Sequence, residues 1–192
     1  METAVQPERS GNTDARLVER TRAGDVRAFD EIVARHKRAV YSTARRLLGS
    51  HEDADEAAQI AFVRAWQALD GFRGESSLRT WLVRIVLNVS KNLRARARPL
   101  DGLEGQEQLA DTRAGSDELL RRRELRARVR RAVDRLPPRQ REVVILKVFS
   151  EMTHREVAEI LELSVGAVKA HLHQAVSNLR RRMTGAVAGG RD

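Results

Sequence analysis

The chain has no cysteine, only 4% aromatic residues, and just 12 glycines and 4 prolines among 192 residues. Without cysteine it cannot form disulfides or thiolate metal sites. The low aromatic content, together with few glycines and prolines for turns, disfavours β-sandwiches and β-barrels. The composition therefore predicts an all-α protein.

Long apolar runs are also missing, since the longest ones, such as 143–146, contain only a few residues. A membrane-spanning helix needs roughly 20 apolar residues. The N-terminal stretch likewise lacks the apolar core of a signal peptide. We therefore expect a cytoplasmic protein without a membrane-spanning segment.

Charge of one sign is in excess, because 36 lysines and arginines oppose 27 acidic residues and give a net charge of +9. A nucleic acid or an anionic membrane surface fits such a chain as a partner. The five histidines are scattered, and His171 and His173 make a poor metal pair because they lie two residues apart on a helix. We predict no metal, no cofactor and no small-molecule substrate, so an enzyme is the least supported class.

Apolar residues recur every three, four or seven positions over residues 14–49, which predicts a helical stripe. Gly49 suits a helix end, and Asp53 can begin the next helix. After a polar break at 70–75, Ser76 or Ser77 can cap a third helix. We therefore predict a first bundle of three or four helices at 14–98, preceded by a disordered tail at 1–13.

The periodicity disappears at 99–118, where six acidic residues and one arginine give a net charge of minus five. Such a segment is typical of a linker. Helical patterning resumes at Leu119, and the stretch from there to Arg131 holds seven arginines. We predict a second domain at 119–183 and a disordered tail at 184–192. The expected fold class is all-α, with two small helical domains joined by a flexible acidic linker.

Two helices separated by a tight turn are predicted in the second domain. Thr153 and Glu156 can cap the first helix reciprocally, and Ser164 can cap the second. This geometry places the second helix in a DNA major groove, although a helical hairpin with a solvated basic face is the alternative. Glu162 occupies the turn, where glycine is the easier choice for a left-handed residue, so a differently shaped turn is also considered. The outward face of the second helix is predicted to carry Lys169, His171, His173 and Gln174.

A polar side of the helix at 77–98 could follow a phosphate backbone in the first domain. The loop before it, at 72–77, is flanked by Phe72 and Trp81, a combination that suits an unstacked base. Trp81 could equally belong to the core, and the polar side could be an ordinary solvated face. The residues of this side are Thr80, Arg84, Asn88, Lys91 and Arg98.

Several short stretches occur in a particular order and spacing between Arg22 and Arg182. They are Arg-Ala-Gly-Asp at 22–25, Asp-Ala-Asp-Glu-Ala-Ala-Gln at 53–59, Phe-Arg-Gly-Glu-Ser-Ser at 72–77, Leu-Pro-Pro-Arg-Gln-Arg-Glu at 136–142 and Ser-Val-Gly-Ala-Val-Lys at 164–169. Each is weak alone, but together they make the chain resemble the extracytoplasmic-function (ECF) group of the sigma-70 family. Members of this family direct RNA polymerase to promoters and catalyse no reaction themselves.

The resemblance implies several partners. The first domain corresponds to sigma region 2, whose helix matching 53–69 docks on the β′ coiled coil of core RNA polymerase, and the second to region 4, for which the β flap is the expected polymerase contact. Promoter DNA and an anti-sigma factor are further implied partners, and a membrane-bound anti-sigma factor is a hypothesis. The candidate polymerase contacts are Asp55, Glu56 and Gln59. A solvated acidic helix start, favoured by the helix dipole, is their alternative, and Ile60 stands where the family usually has a carboxylate.

The resemblance also implies which residues contact the promoter. Region 2 melts and reads the minus-ten element, accepting a flipped base in the loop that matches 72–77, and region 4 reads the minus-thirty-five element. The implied minus-ten contacts are Phe72, Arg73, Gly74, Glu75, Ser76, Ser77, Trp81, Arg84, Asn88, Lys91 and Asn92. The implied minus-thirty-five contacts are Ser164, Gly166, Ala167, Lys169, Ala170, His171, His173 and Gln174. Ala167 and Gln174 replace a frequent hydroxyl and a frequent arginine, so the base preference of relatives cannot be copied.

Two further alternatives stay open. The acidic linker is compatible with a basic polymerase channel, as in the family, and equally with a flexible solvated tether. The whole chain could also be a free-standing helix-turn-helix repressor or activator. Such a protein binds duplex DNA without polymerase, usually as a dimer on spaced half-sites.

Overall fold

A computed structural model describes residues 7–96 and 117–188, with side chains described at 13–96 and 121–183. These residues form helices and turns, and no strand occurs among them. The chain divides into two compact units, Met1–Gly102 and Leu103–Asp192. The prediction of an all-α protein with two small helical domains is confirmed, whereas the predicted flexible linker at 99–118 lies outside the described residues except for its last two.

The first unit contains α1 (Pro7–Arg22), α2 (Val26–Leu48), α3 (His51–Ala68) and α4 (Leu78–Arg96), with a 3₁₀ turn at Leu69–Gly71 after α3. Helix α1 begins before the predicted start at Asp14, so part of the predicted tail at 1–13 is helical. Residues 7–12 contain no apolar side chain through which periodicity could indicate a helix. A proline is also well suited to the first helical position.

The core of the first unit lies between α2, α3 and α4. Helix α3 contributes small side chains, which allow close packing of the helices, and α2 and α4 contribute larger ones. The alanines are Ala54, Ala57, Ala61 and Ala65, and the larger residues include Ile32, Val40, Leu82 and Val86. Burial of each larger side chain stabilises the bundle by roughly 1.5–3 kcal/mol. The opposite side of α3 and the loop before α4 are left facing solvent.

Side-chain caps set where the helices of the first unit begin. Asp25 caps α2 by accepting a hydrogen bond from the Arg27 backbone N–H at 3.1 Å. Ser50, rather than the predicted Asp53, caps α3, because its hydroxyl accepts from the Asp53 N–H at 3.2 Å. Of the two serines considered for α4, Ser77 accepts from the Thr80 N–H at 3.1 Å.

A partly buried ion pair joins α1 to α2. The carboxylate of Asp14 lies 2.6 Å from the Arg35 guanidinium and 3.2 Å from Nε2 of His36. Asp14 is 8% exposed and His36 is 6% exposed. Arg35 is exposed, so Asp14 and His36 are the buried members of this group. Removal of Asp14 would take the carboxylate away from the buried His36 ring.

The second unit contains α5 (Asp117–Asp134), α6 (Pro138–Val144), which continues as a π-helical turn at Ile145–Phe149, α7 (His154–Leu161) and α8 (Val165–Ala188). Helix α8 therefore extends beyond 183, the predicted end of the second domain. The predicted reciprocal cap of α7 is present: the Thr153 N–H donates to the Glu156 carboxylate at 2.7 Å, and the Glu156 N–H donates to the Thr153 hydroxyl at 3.2 Å. Ser164 caps α8 by accepting from the Ala167 N–H at 3.0 Å.

Arginines from distant parts of the chain contact the carbonyl ends of helices in both units. Arg94 donates to the Leu47 carbonyl at 3.4 Å, at the end of α2. Arg182 donates to the Arg135 carbonyl at 3.3 Å, just after α5. Because the last carbonyls of a helix lack intrahelical partners and carry partial negative charge, a cation is favourable there.

The turn between α7 and α8 contains a left-handed glutamate. Glu162 has φ 55° and ψ 47°, and its N–H donates to the Ala158 carbonyl. The Leu163 N–H donates to the same carbonyl at 2.9 Å. The alternative of a differently shaped turn is therefore excluded, because these hydrogen bonds hold a residue other than glycine in the left-handed conformation.

Replacing Glu162 with glycine is expected to raise the free energy of unfolding of the second unit by about 1 kcal/mol. Glycine has no Cβ and avoids the left-handed penalty of roughly 1–2 kcal/mol, although it loses more backbone entropy on folding. Urea unfolding followed by circular dichroism measures the change. Glu162→Ala keeps the Cβ and should change the stability by less than about 0.5 kcal/mol, so equal stabilisation by both variants would contradict this account.

Candidate nucleic-acid interface

The loop at 72–77 joins the 3₁₀ turn to α4 and carries an aromatic pair. The rings of Phe72 and Trp81 lie 5.1 Å apart and are tilted by 45°. Both are half-buried and pack against the core of the first unit, so Trp81 is in part the core residue that was considered as an alternative. Arg73, Gly74 and Glu75 are exposed, and Gly74 has a φ of 72°, a value that suits glycine. The loop thus has an apolar inner part, formed by the two aromatic rings, and an exposed polar tip.

The polar side of α4 is narrower than the sequence predicts. Trp81, Arg84, Asn88 and Lys91 follow one another at intervals of three or four residues and share one side of the helix. Asn88 is exposed, as is the neighbouring candidate Asn92, and Arg84 and Lys91 are half-buried. Thr80 does not face solvent but is fully buried and bonded to Ser77 at 2.8 Å, and Arg98 lies outside the described residues.

Arg22 contacts the first residue of the loop, and sequence reasoning did not assign it a role. Its guanidinium donates to the carbonyls of Leu69 at 2.9 Å and Asp70 at 3.1 Å, and also to the carbonyl of Phe72. The only sequence signal was its place in the Arg-Ala-Gly-Asp stretch, and that stretch does not reveal contacts about 50 positions away.

The exposed side of α3 forms a continuous surface, which we call the α3 face. It consists of Glu56, Gln59, Val63 and Trp66, which are spaced by three or four residues, and Asp55 lies at its edge. Val63 is 56% exposed and Trp66 is 42% exposed, while the Trp66 ring packs edge-on against Phe29 at 4.9 Å. Ile60 packs against the core instead. Sequence reasoning missed Val63 and Trp66. Both are large apolar residues outside the stripe of buried alanines on α3, and this position could have indicated an exposed apolar surface.

Helix α8 brings four of its candidate residues to one side. Gly166, Lys169, Ala170 and His173 are exposed and lie within one sector of the helix. We call this sector the α8 face. Ser164 is exposed and engaged as the N-cap, and Ala167 is half-buried.

His171 and Gln174 do not join the α8 face. His171 is half-buried, and its Nδ1 is shielded from solvent and has no hydrogen-bond partner among the described residues. Gln174 is exposed, but its amide oxygen accepts from Gln140 at 3.3 Å, and Gln140 in turn accepts from Asn178 at 2.8 Å. The helical period alone places both residues near the outward side, whereas packing against α6 and α7 decides what they contact.

Comparison with known proteins gives these surfaces a context. A model of Sigma-70 region 2 matches residues 32–99, and a model of Sigma-70, region 4 matches residues 126–179. The RNA polymerase sigma-H factor of Pseudomonas aeruginosa is 34% identical over 84% of this chain and 89% of its own length. The chain belongs to the ECF group of the sigma-70 family. The ECF RNA polymerase sigma-E factor of Escherichia coli is 33% identical over 85% of this ECF sigma factor and 90% of its own length.

A solved structure supports the same assignment for this ECF sigma factor. CnrH, in complex with the cytosolic domain of CnrY, matches with a TM-score of 0.70 and 32% identity, covering 90% of this chain and 98% of CnrH. The region 2 match falls within the first unit and the region 4 match within the second. Among the described residues, no helix is long and apolar enough to span a membrane. The same residues contain no group of three histidine or acidic side chains placed to hold a metal ion.

Proposed function

We propose that this ECF sigma factor binds core RNA polymerase in the cytoplasm and directs promoter-specific initiation of transcription. The α8 face reads the minus-thirty-five element, and the loop at 72–77 with the polar side of α4 reads and melts the minus-ten element. The main support for the proposal is where these surfaces lie. The α8 face lies in the unit that matches sigma region 4, and the loop and α4 lie in the unit that matches region 2. In the family, region 4 reads the minus-thirty-five element and region 2 reads the minus-ten element. The two domains at 14–98 and 119–183 and the acidic linker at 99–118 are part of this proposal.

The α8 face supports insertion into a major groove. In helix-turn-helix proteins the N-terminal residues of the second helix reach base edges, and here these are Gly166, Lys169, Ala170 and His173. Glycine and alanine allow close approach to the DNA, while lysine and histidine donate hydrogen bonds to acceptors on bases or phosphates. Ser164 and Ala167 stand at the helix start, and His171 and Gln174 would act from its flanks.

The first unit supports capture of an unpaired base. A flipped base costs a few kcal/mol to unpair, and stacking on an aromatic side chain offsets part of this. Phe72 and Trp81 provide such side chains below the exposed loop residues. The remaining candidates on the loop and α4 would hold the strand through polar contacts; they are Arg73, Gly74, Glu75, Ser76, Ser77, Arg84, Asn88, Lys91 and Asn92.

The α3 face supports docking on the β′ coiled coil of core polymerase. It joins carboxylates and an amide at Asp55, Glu56 and Gln59 to an apolar end at Val63 and Trp66. Interfaces with an apolar centre and a polar rim are typical of specific protein complexes. The β flap is the proposed second polymerase contact, made by the second unit.

An anti-sigma factor is the proposed regulator. CnrH forms a complex with the cytosolic domain of CnrY, and RpoE of Bartonella quintana forms one with the anti-sigma factor NepR. A partner that covers the α3 face would compete directly with polymerase. Co-purification of this chain from detergent-solubilised membranes tests whether the partner is membrane-bound.

In vitro transcription with purified core polymerase tests the proposed function. With the chain present we expect defined start sites, and gel shifts should show specific promoter binding only when core polymerase is added. Tight, specific duplex binding by the chain alone, without any effect on polymerase, would instead establish a free-standing helix-turn-helix regulator.

Replacing Lys169 with alanine is expected to lower transcription from the mapped promoters about tenfold, because the α8 face loses its exposed ammonium group. Holoenzyme affinity for DNA decreases as the salt concentration rises. In the variant, the slope of the logarithm of affinity against the logarithm of salt concentration should become less steep by about one. Lys37→Ala is the control, since Lys37 is equally an exposed lysine but lies on α2. His171→Ala should have a smaller effect, because His171 is half-buried, and a larger loss from His171→Ala than from Lys169→Ala would contradict the assignment of the α8 face.

A further inference from the structure

The side chain of Arg22, the last residue of α1, contacts the 3₁₀ turn after α3 and the first residue of the loop at 72–77. Its Nη2 lies within hydrogen-bond distance of the carbonyls of Leu69, Asp70 and Phe72, which share its two protons, and its Nε donates to Leu69 at 3.3 Å. The contacts span about 50 residues of sequence. They therefore fix the position of the loop start relative to α1.

The chemistry of this contact suits arginine in particular. These carbonyls lie at the C-terminal end of α3 and its 3₁₀ extension, where the helix dipole is negative, and the Leu69 carbonyl also accepts from the Phe72 N–H at 3.1 Å. A guanidinium group is always charged and presents several donors in a rigid plane, so it can bind neighbouring carbonyls at once. An ammonium group has all its donors on one nitrogen and lacks a second donor such as Nε, which here adds a contact to the Leu69 carbonyl.

The backbone from which Arg22 projects is itself held in place. Asp25 caps α2 and also accepts a hydrogen bond from Arg20 at 2.7 Å. Gly24 between them has a φ of 93°, which lets the chain turn sharply from α1 into α2. The Arg22 side chain therefore starts from a fixed turn.

The loop at 72–77 is thus held at both ends. Arg22 binds the Phe72 carbonyl at its start, and Ser77 caps α4 at its end. The Phe72 ring rests on Trp81. A displacement of the Phe72 backbone would therefore move the aromatic pair as well as the loop.

We propose that Arg22 is a positioning residue for minus-ten recognition. By holding the Phe72 carbonyl, it keeps the loop and the Phe72–Trp81 pair in the one arrangement that accepts an unpaired base. Arg22 acts through the loop and does not itself contact the base. This inference rests on the proposed role of the loop, so its test is divided into a measurement without DNA and one with DNA.

The first measurement follows Trp81 in the isolated full-length chain. The chain has two tryptophans, so Trp66→Phe leaves Trp81 as the only tryptophan emitter. In this background, Arg22→Ala is expected to increase the quenching of Trp81 by acrylamide, because the Phe72 ring no longer covers it. Arg16→Ala is the matched control, since Arg16 is an exposed arginine of the same helix. Circular dichroism confirms that each variant is folded.

The second measurement uses holoenzyme assembled with chains that retain Trp66. Arg22→Ala is expected to reduce discrimination between minus-ten base variants about tenfold, as the loss of a charge-assisted hydrogen bond would. Affinity for core polymerase and use of the minus-thirty-five element should not change. Arg22→Lys should restore part of the discrimination. If Arg22→Ala unfolds the first unit, Arg22→Lys carries the same comparison.

Unchanged Trp81 quenching in folded Arg22→Ala would overturn the inference, as would unchanged base discrimination by a holoenzyme that normally discriminates. A different result separates the two proposals. If quenching rises but the parent holoenzyme shows no minus-ten preference, Arg22 still positions the loop, and the proposed role of the loop in base recognition fails.

Discussion

Replacing Val63 with aspartate is expected to weaken the binding of this sigma factor to core RNA polymerase by about 100-fold or more. Val63 lies within the α3 face and is 56% exposed. A few residues carry most of the binding energy of an interface, tryptophan is frequent among them, and a charge desolvated beside Trp66 without a partner is unfavourable. Because Val63 is not part of the buried core, the first unit should remain folded. A titration of labelled chain with core polymerase, followed by fluorescence anisotropy, measures the dissociation constant.

Val26→Asp provides the matched control for the α3 face. Val26 is 58% exposed and is the first residue of α2, where an acidic side chain is favoured by the helix dipole. Affinity for core polymerase should therefore stay close to that of the parent chain. Parent-like binding by Val63→Asp would exclude the α3 face as the docking surface, and equal losses in both variants would show that the added charge, not its position, is responsible.

Replacing Asp14 with alanine is expected to lower the free energy of unfolding of the first unit by about 1–2 kcal/mol, because a buried carboxylate loses its contacts with an exposed guanidinium and a buried imidazole. His36 would keep its burial and lose the carboxylate that lies 3.2 Å from its Nε2, and Arg35 would lose a contact of 2.6 Å. Urea unfolding measures the change. Asp30→Ala removes an exposed carboxylate of α2 and should change the stability by less than about 0.5 kcal/mol. A similar small change in Asp14→Ala would mean that the pair contributes no net stability.

The effect of Asp14 should depend on pH. Burial by itself would raise the pKa of the Asp14 carboxyl, but hydrogen bonds and charges from His36 and Arg35 lower the pKa below its ordinary value of 3.8. The unfolded chain therefore binds the proton more readily, and the stability contributed by the pair is fully present above pH 3.8 and lost as the pH falls through the lower folded pKa. The stability difference between the parent chain and Asp14→Ala should accordingly shrink as the pH falls below 3.8.

Local signals made much of the fold predictable. The reciprocal cap at Thr153 and Glu156 and the N-cap at Ser164 follow from residues three positions apart, so the sequence pattern is sufficient to find them. The prediction that Asp53 begins α3 was wrong: Ser50 is the cap, and because both residue types cap helices well, only the backbone turn distinguishes them. The start of α1 was missed because its first turns carry no apolar periodicity.

Local sequence patterns could not reveal the contacts that organise the candidate site. Arg22 and Phe72, like Asp14 and Arg35, meet only after the helices have packed. Helical periodicity likewise gives the direction of a side chain but not its surroundings, which is why Thr80 proved to be buried and His171 half-buried. The family resemblance assigned roles to positions, whereas packing decides which of these positions act together.

The arginines at the helix ends bear on how this sigma factor should respond to ionic strength. The net charge of +9 counts Arg22, Arg94 and Arg182 as though they were available to DNA. All three donate to backbone carbonyls within their own units. Counterions are released from DNA only by cations that reach its phosphates. The salt sensitivity of promoter binding should therefore follow the few cations on the α4 and α8 surfaces, and the formal charge overstates the electrostatic attraction.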